Sequence, residues 1–190
     1  MQAKSTKTFQ VKEPIDLVWA FLRDPRKVGS CLPGAQITEA VDDRTYKGTI
    51  TVKVGPITAK YNGEVKIERL DPQNYELDLA GQGQDPGGTG GAAMKFSGKL
   101  RSLADGGTEV VGSTEIAVTG RLAQLGSRMM DDVSNHVFEQ FTKSFRAMLA
   151  EESGGGEASS TPPQPIKAIP LALSMMTNAL KRSVGRLFSR

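Results

Sequence analysis

The feature that most constrains the fold is an alternation of apolar and polar residues through most of the first two thirds of the chain. In TYKGTITVKVG, the residues Tyr46, Gly48, Ile50, Val52 and Val54 alternate with polar ones. The stretches AKYNGEVKIERL, YELDLAG, AMKFSGKL and EVVGSTEIAVT repeat the pattern, and KTFQVKE and QITEAV are shorter examples. Because successive side chains of a strand point to opposite faces, we expect about seven strands. One apolar and one hydrated face predict an antiparallel sheet that is covered on one side.

Two segments have helical spacing instead. EPIDLVWAFLRDP places Ile15, Trp19 and Leu22 on one face of a short helix, which we expect Pro25 to stop. Residues 121–152, RLAQLGSRMMDDVSNHVFEQFTKSFRAMLAEE, have apolar residues three or four positions apart. They predict one long helix that covers the apolar face of the sheet. A strand, short helices, a strand meander and a long C-terminal helix follow one another as in the α+β helix-grip fold.

Charge and composition exclude several classes of protein. Residues 1–150 carry 19 basic and 18 acidic side chains, so this part lacks the basic balance of a nucleic-acid binder. Cys31 is the only cysteine and His136 the only histidine, which excludes an internal disulfide and a Cys/His-rich metal site. The N-terminal stretch MQAKSTKTFQVK lacks the apolar core of a signal peptide, and we expect a cytoplasmic protein.

The pieces PIDLVWAFLRDPRKVGSCLPGAQ and KVGPITAKYNGEV, with a Gly-rich segment before the sixth strand, resemble the CoxG family. This family, named for a subunit of carbon monoxide dehydrogenase, belongs to the START/SRPBCC superfamily of Bet v 1-like domains, and the resemblance covers about residues 3–150. It implies association with a molybdenum-containing carbon monoxide dehydrogenase or a related hydroxylase. It also implies recruitment of that enzyme to the membrane and the binding of a membrane quinone, menaquinone or ubiquinone.

A bent sheet that grips a long helix leaves a cavity in which an apolar ligand can bind. The inward-facing Gly48, Ala59, Gly63, Gly98 and Gly112 favour a cavity because they take up little volume opposite the helix, although glycines also allow a sheet to curve. Ordinary core packing is the alternative interpretation of the apolar side chains around them. The predicted lining consists of Trp19, Leu32, Ile50, Val52, Tyr61, Leu79, Met94, Phe96, Met129, Met130, Val133, Val137 and Phe141. Trp19, Leu32, Met94, Met129 and Met130 are the candidates for its mouth.

The stretch GQGQDPGGTGGAA is the candidate for a moving part. It contains a match to the dinucleotide-binding fingerprint, but the residues that follow alternate as a strand, whereas the fingerprint requires a helix there. A loop that gates the cavity and a spacer without function are the two remaining interpretations. The predicted gate residues are Gly83, Gly87, Gly88, Gly90 and Gly91.

We find no catalytic constellation in the sequence. Cys31 has no histidine near it in sequence, and His136 lies among polar residues of the long helix. Asp131 and Asp132 are adjacent, so they point to different sides of a helix and do not form a pair of carboxylates that share a proton. We therefore predict no catalytic residue and no metal ligand.

The C-terminal part predicts an attachment to the membrane. We divide the chain into a ligand-binding domain, 1–152, a flexible Gly/Ser/Pro linker, 153–165, and a basic amphipathic helix, 166–190. We do not expect this helix to cross a bilayer, because its longest uncharged run has 13 residues and a crossing needs about 20. A helix that docks into a partner's groove and a disordered tail are the alternatives. The predicted membrane-binding residues are Leu173, Met176, Leu180, Lys181, Arg182, Val184, Arg186, Leu187, Phe188 and Arg190.

Together these features predict a cytoplasmic, membrane-tethered accessory protein that binds a hydrophobic molecule and no nucleic acid. Two other functions stay open: a recruitment or assembly factor that carries no ligand, and an enzyme of the polyketide-cyclase type.

Overall fold

The computed structural model describes residues 1–54 and 57–154. They form one antiparallel sheet and the helices packed on its concave face, which confirms the predicted α+β architecture. The predicted membrane-binding helix, 166–190, and the linker after Gly154 lie outside the described residues. In the part that is described, no helix has both the length and the apolar composition needed to cross a membrane.

The sheet has seven strands in the order β1-β7-β6-β5-β4-β3-β2, each antiparallel to its neighbours. All seven predicted strands are present, and β1 begins earlier in the chain than its apolar residues indicate. Strands β1 and β2 form the two edges of the sheet. The strands are β1 (Gln2–Val11), β2 (Ala35–Ala40), β3 (Thr45–Val54), β4 (Ile57–Asp71), β5 (Glu76–Gln84), β6 (Gly91–Ser102) and β7 (Thr108–Val118).

Close contact between neighbouring strands explains two of the inward-facing glycines. A Cβ atom at Gly48 would lie 2.4 Å from the backbone oxygen of Gln36, and one at Gly63 would lie 2.0 Å from that of Gln82. Any other residue would therefore push the neighbouring strand away. The curvature interpretation applies to these two positions, since their missing side chains let strands approach where the sheet bends.

The ring of Phe96 accounts for two other inward-facing glycines, Gly98 and Gly112. A Cβ atom at Gly98 would lie 3.0 Å from the Phe96 ring, and one at Gly112 would lie 2.9 Å from it. The expectation that Gly98 and Gly112 leave empty space was therefore wrong, because the ring covers both. An aromatic ring that packs over glycines replaces the contacts that their missing side chains do not make.

Three α-helices are found among the described residues, one more than the two that were predicted for this part of the chain. Helix α1 (Ile15–Leu22) has the predicted position. Helix α2 (Pro25–Cys31) was not predicted, because we took Pro25 as a stop signal only. Pro25 is also the first residue of α2, where a proline is well tolerated, and the Asp24 carboxylate accepts a hydrogen bond from the Arg26 N–H at 2.9 Å.

The predicted long helix is divided in two. Residues Gly120–Leu125 form a 3-10 turn, and helix α3 (Gly126–Glu152) follows it. The break occurs at Gly126, whose φ of +77° lies outside the helical region. The prediction of one helix over 121–152 was wrong for its first turn, because apolar spacing does not distinguish a 3-10 turn from the α-helix that continues it.

Helix α3 is held to the rest of the domain mainly through its C-terminal half. The ring of Phe145 lies 5.5 Å from the ring of Phe9 on β1 and 5.0 Å from that of Phe21 on α1. The Cys31 thiol at the end of α2 contacts the Met148 sulfur at 3.6 Å. These contacts connect α3 to the edge of the sheet and to both short helices.

Candidate ligand-binding cleft

Two separate clusters of buried side chains lie on the concave face. The first cluster contains Val18, Trp19, Phe21, Leu77, Leu100, Phe145 and Leu149, with others from the same end of the domain. The second cluster contains Tyr61, Val118, Leu122 and Met130. The 3-10 turn supplies Leu122 and the N-terminal end of α3 supplies Met130, so the second cluster closes the opposite end of the fold.

Between the clusters the facing surfaces are only half-buried. Strand register places Met94, Phe96 and Thr114 between the two ends of the sheet, and Val137 and Phe141 lie in α3 between Met130 and Phe145. All five are partly accessible to solvent. We call these five residues the half-buried band. Because these inward-facing residues are not fully buried, the region between the two clusters is the candidate ligand-binding site.

The predicted lining residues are distributed over both clusters and the space between them. The structure brings Ile50, Val52, Tyr61, Met130 and Val133 together in or against the second cluster. It places Trp19, Leu79, Phe96 and Phe141 in or against the first cluster. Met94, Val137 and Leu32 are half-buried and belong to neither cluster, and Met129 is 40% exposed.

The candidates for the mouth are therefore not all close together. Trp19 packs edge-to-face on Tyr75, with 5.8 Å between the ring centroids, at the end of the domain opposite Met130. Sequence alternation assigns each residue to a face of the sheet, but it does not tell which end of that face the residue occupies. Thr114 was not among the predicted lining residues. Its position opposite Phe96 becomes visible only when the register of β6 and β7 is known.

Two grooves lie on the surface, apart from the half-buried band. One, of about 540 Å³, runs between α2 and the edge strand β2 and is lined by Arg26, Gly29, Ser30, Ala35, Gln36, Ile37, Thr38, Glu39 and Ala40. The other, of about 240 Å³, lies between β1 and α3 and is lined by Lys4, Ser5, Lys7, Asp131, Ser134 and Asn135. Both contain many polar groups, and neither includes a residue of the predicted lining.

The side of the cleft next to β1 is bridged by a lysine. Lys7 lies on the edge strand, and its Nζ donates a hydrogen bond to the Asn135 Oδ1 of α3 at 2.5 Å. The same ammonium group lies 5.9 Å from the centre of the Phe138 ring. Lys7 was not among the predicted site residues, although its alternation with Phe9 and Val11 puts it on the inner face of β1.

The Gly-rich connection between β5 and β6 is a short, hydrogen-bonded loop. Gly83 lies within β5 and Gly91 begins β6, so the loop itself contains Gly87, Gly88 and Gly90 of the five predicted gate residues. The Asp85 carboxylate accepts hydrogen bonds from the Thr89 hydroxyl at 2.5 Å and from the Gly87 N–H at 3.3 Å. These bonds, with that from Thr89 the larger cause, lower the pKa of Asp85.

The same loop is tied to the segment that leads into the 3-10 turn. The Gly91 N–H donates to the Thr119 hydroxyl at 2.8 Å, and the Thr119 N–H donates to the Gly91 carbonyl oxygen at 2.8 Å. An opening movement that included Gly91 would break these bonds. The gate therefore stays a prediction, and its movement would involve Thr119 as well as the glycines.

The two residues considered for nucleophilic chemistry have different environments. Burial raises the pKa of the Cys31 thiol from 9.0 to about 11, so the thiolate is disfavoured. His136 is exposed on α3. Over residues 1–54 and 57–154, no group of three or more His, Cys, Asp or Glu side chains is arranged to hold a metal ion.

Solved structures are similar to this chain in fold. A conserved protein from Geobacillus kaustophilus has a TM-score of 0.71 at 21% identity, over 79% of this chain and 97% of its own. The Zhui aromatase/cyclase from Streptomyces sp. R1128 has a TM-score of 0.53 at 16% identity, over 81% of this chain and 94% of its own. Ara h 8.0201 has a TM-score of 0.54 at 20% identity, over 80% of this chain and 99% of its own. At such low identities these similarities show the helix-grip fold alone.

Family membership comes from the sequence. No curated protein sequence matches the chain. Residues 8–150 match the family described as the CoxG subunit of carbon monoxide dehydrogenase. The match includes the last four residues of β1, both short helices, β2 to β7 and nearly all of α3, so it contains the buried residues of both clusters and the half-buried band between them. The chain therefore belongs to the CoxG family of carbon monoxide dehydrogenase subunits.

Proposed function

We propose that this protein is a non-catalytic accessory protein of a molybdenum-containing carbon monoxide dehydrogenase. It binds a respiratory quinone, menaquinone or ubiquinone, between the sheet and α3, and it links the enzyme to the membrane electron-transport chain. Membership of a family described as a subunit of that dehydrogenase supports the accessory role. The partners in this proposal are the dehydrogenase, the cytoplasmic face of the cell membrane and the hydrophobic ligand.

The half-buried band is the observation that carries the proposal. Met94, Phe96, Val137 and Phe141 present apolar and polarizable surface, and the Thr114 hydroxyl adds one polar group. None of these five residues carries a charge, so a charged ligand bound against them would lose hydration without compensation from the band itself. An isoprenoid quinone is neutral, and it gains free energy when its tail leaves water for such a surface.

A carrier of a membrane molecule has to work at the membrane surface. The basic amphipathic segment 166–190 supports peripheral attachment, since each cation near an anionic surface contributes roughly 1 kcal/mol. The linker, 153–165, has the composition of a flexible tether. In this proposal the segment keeps the ligand-binding domain close to the lipid from which the quinone is taken.

A recruitment or assembly factor without a ligand is the second candidate function. The packing of Phe96 over Gly98 and Gly112 favours it, because the ring takes up space that the glycine pattern assigned to a ligand. In that case segment 166–190 would bring the dehydrogenase to the membrane, and the region between the sheet and α3 would bind no ligand.

An enzyme of the polyketide-cyclase type is a third candidate, since the Zhui aromatase/cyclase has a similar fold. The state of Cys31 argues against this function. A nucleophilic cysteine needs a lowered pKa, and burial raises the pKa of this thiol to about 11.

Filling the half-buried band should remove the ligand. We expect Val137→Trp to lower the amount of menaquinone bound to the full chain by at least about tenfold, because the larger indole takes up space in the proposed site. Solvent extraction of the purified protein followed by mass spectrometry measures the bound quinone. Val111→Trp, on the outer face of β7, is the matched control and should bind as the wild type does.

Thr114→Phe fills the same band from the sheet side and serves if Val137→Trp does not fold. Circular dichroism of each variant checks folding. Gly63 is unsuitable for this experiment because a Cβ atom there would lie 2.0 Å from a backbone oxygen. Equal amounts of quinone in the filled variants and the wild type, or none in the wild type, would contradict quinone binding between the sheet and α3.

Removal of residues 166–190 should abolish membrane attachment. We expect the full chain to float with vesicles that contain anionic phosphatidylglycerol and to release them at high salt, because salt screens the basic side chains. A chain that ends at residue 165 should stay at the bottom of the gradient. Vesicles of neutral phosphatidylcholine are the control. Flotation of the truncated chain with anionic vesicles would show that the attachment lies elsewhere.

Native Cys31 should react slowly with iodoacetamide. A pKa of about 11 instead of 9.0 leaves roughly a hundredfold less thiolate at pH 8, and burial slows the reaction further. The rate should rise about tenfold with each pH unit up to pH 10, and denaturant should remove the protection. Mass spectrometry of the alkylated protein measures the rate. Rapid labelling at pH 7 that does not change with pH would indicate an activated cysteine and favour the enzyme.

A further inference from the structure

Tyr61 is the one buried tyrosine in the described part of the chain, and its ring belongs to the second cluster. Its side chain is 6% exposed and packs with Val118, Leu122 and Met130. A Cβ atom placed on Gly83 would lie 3.2 Å from the Tyr61 Cβ, so β5 supports the base of the side chain. The ring is therefore held in place by packing.

The hydroxyl of this tyrosine is unusual. The hydroxyls of Tyr46 and Tyr75 donate to the Asp43 carbonyl oxygen at 3.4 Å and to the Asp16 carboxylate at 2.6 Å. Within residues 1–54 and 57–154, the Tyr61 hydroxyl has no such acceptor. A buried tyrosine usually has a hydrogen-bond partner for its hydroxyl.

The hydroxyl is nevertheless not sealed inside the protein. Across the described residues, every fully enclosed side-chain nitrogen or oxygen has a hydrogen-bond partner. Since the Tyr61 hydroxyl has none, it borders accessible space. A packed ring with a free hydroxyl at its open end presents a donor to whatever occupies that space.

The surroundings keep this hydroxyl protonated and favour a neutral acceptor. Burial, and secondly the negative charge of Asp85, raise the pKa of Tyr61 above its usual value of 10.0. The Asp85 carboxylate already accepts hydrogen bonds from Thr89 and Gly87. Among the apolar side chains of the second cluster, a carbonyl oxygen loses less hydration than a carboxylate or phosphate would.

We propose that the Tyr61 hydroxyl donates a hydrogen bond to a carbonyl oxygen of the bound ligand and so sets the orientation of the ligand in the cleft. This inference rests on the proposed function. The carbonyl-bearing end would lie at the second cluster, and the apolar remainder would extend along the half-buried band towards Phe141. A hydrocarbon without a carbonyl would gain the packing but not this bond.

The test compares two probes in the full chain, menaquinone-2 and squalene, which is an isoprenoid without a carbonyl group. Tyr61→Phe keeps the ring and removes the hydroxyl, so we expect the Kd for menaquinone-2 to rise about five- to tenfold and that for squalene to stay the same. Tyr75→Phe is the matched control, because its hydroxyl also forms a hydrogen bond but belongs to the other end of the domain. It should leave both Kd values unchanged.

Infrared difference spectroscopy gives a readout that a packing role would not change. The carbonyl stretch of bound menaquinone-2 should lie at a lower frequency in the wild type than in Tyr61→Phe, because a hydrogen bond weakens the C=O bond. Equal frequencies, or an equal loss of affinity for both probes, would overturn the role of Tyr61. A wild type that binds neither probe would overturn the proposed function itself.

Discussion

Phe145 connects the long helix to two other elements at once, and the shape of the interior depends on it. Its ring packs against Phe9 of the edge strand and Phe21 of α1, while Met130 holds the other end of α3 in the second cluster. Because α3 is packed at both of its ends, its middle turns can stay in place without complete packing against the sheet. The half-buried band lies between these two ends, and none of its five side chains is fully buried.

The distribution of charge matches this arrangement. Ion pairs lie on the outer face of the sheet, where Arg69 contacts the carboxylates of Asp71 and Glu76 at 2.9 Å and Lys99 contacts Glu76 at 2.6 Å. On the concave side, the band is apolar except for Thr114, and the Lys7 ammonium group on this side is bonded to Asn135. A domain with this division can receive a neutral apolar molecule without burying an unpaired charge. An accessory protein of the CoxG family that carries a quinone would need this property.

Much of the fold could be predicted from the sequence, because a sheet with one solvent-exposed face has alternating polar and apolar residues in its strands. Helix α2 was missed because a proline can begin a helix as well as end one, and Pro25 does both. Gly126 was not recognised as a break in the long helix. The site was harder to predict. Packing of the Phe96 ring over Gly98 and Gly112, and the separation of Trp19 from Met130, depend on register and on helix placement, which alternation does not contain.

The methyl groups of the methionines offer the most direct test of where the ligand lies. The described residues place Met94 in the half-buried band, Met130 in the second cluster and Met148 against Cys31 near the first cluster. With ¹³C-labelled methionine methyl groups, each assigned by substitution with leucine, NMR spectra can be recorded as menaquinone is added. We predict that the Met94 and Met130 signals shift while the Met148 signal does not. A Met148 signal that shifts while Met94 and Met130 stay unchanged would contradict binding between the two clusters.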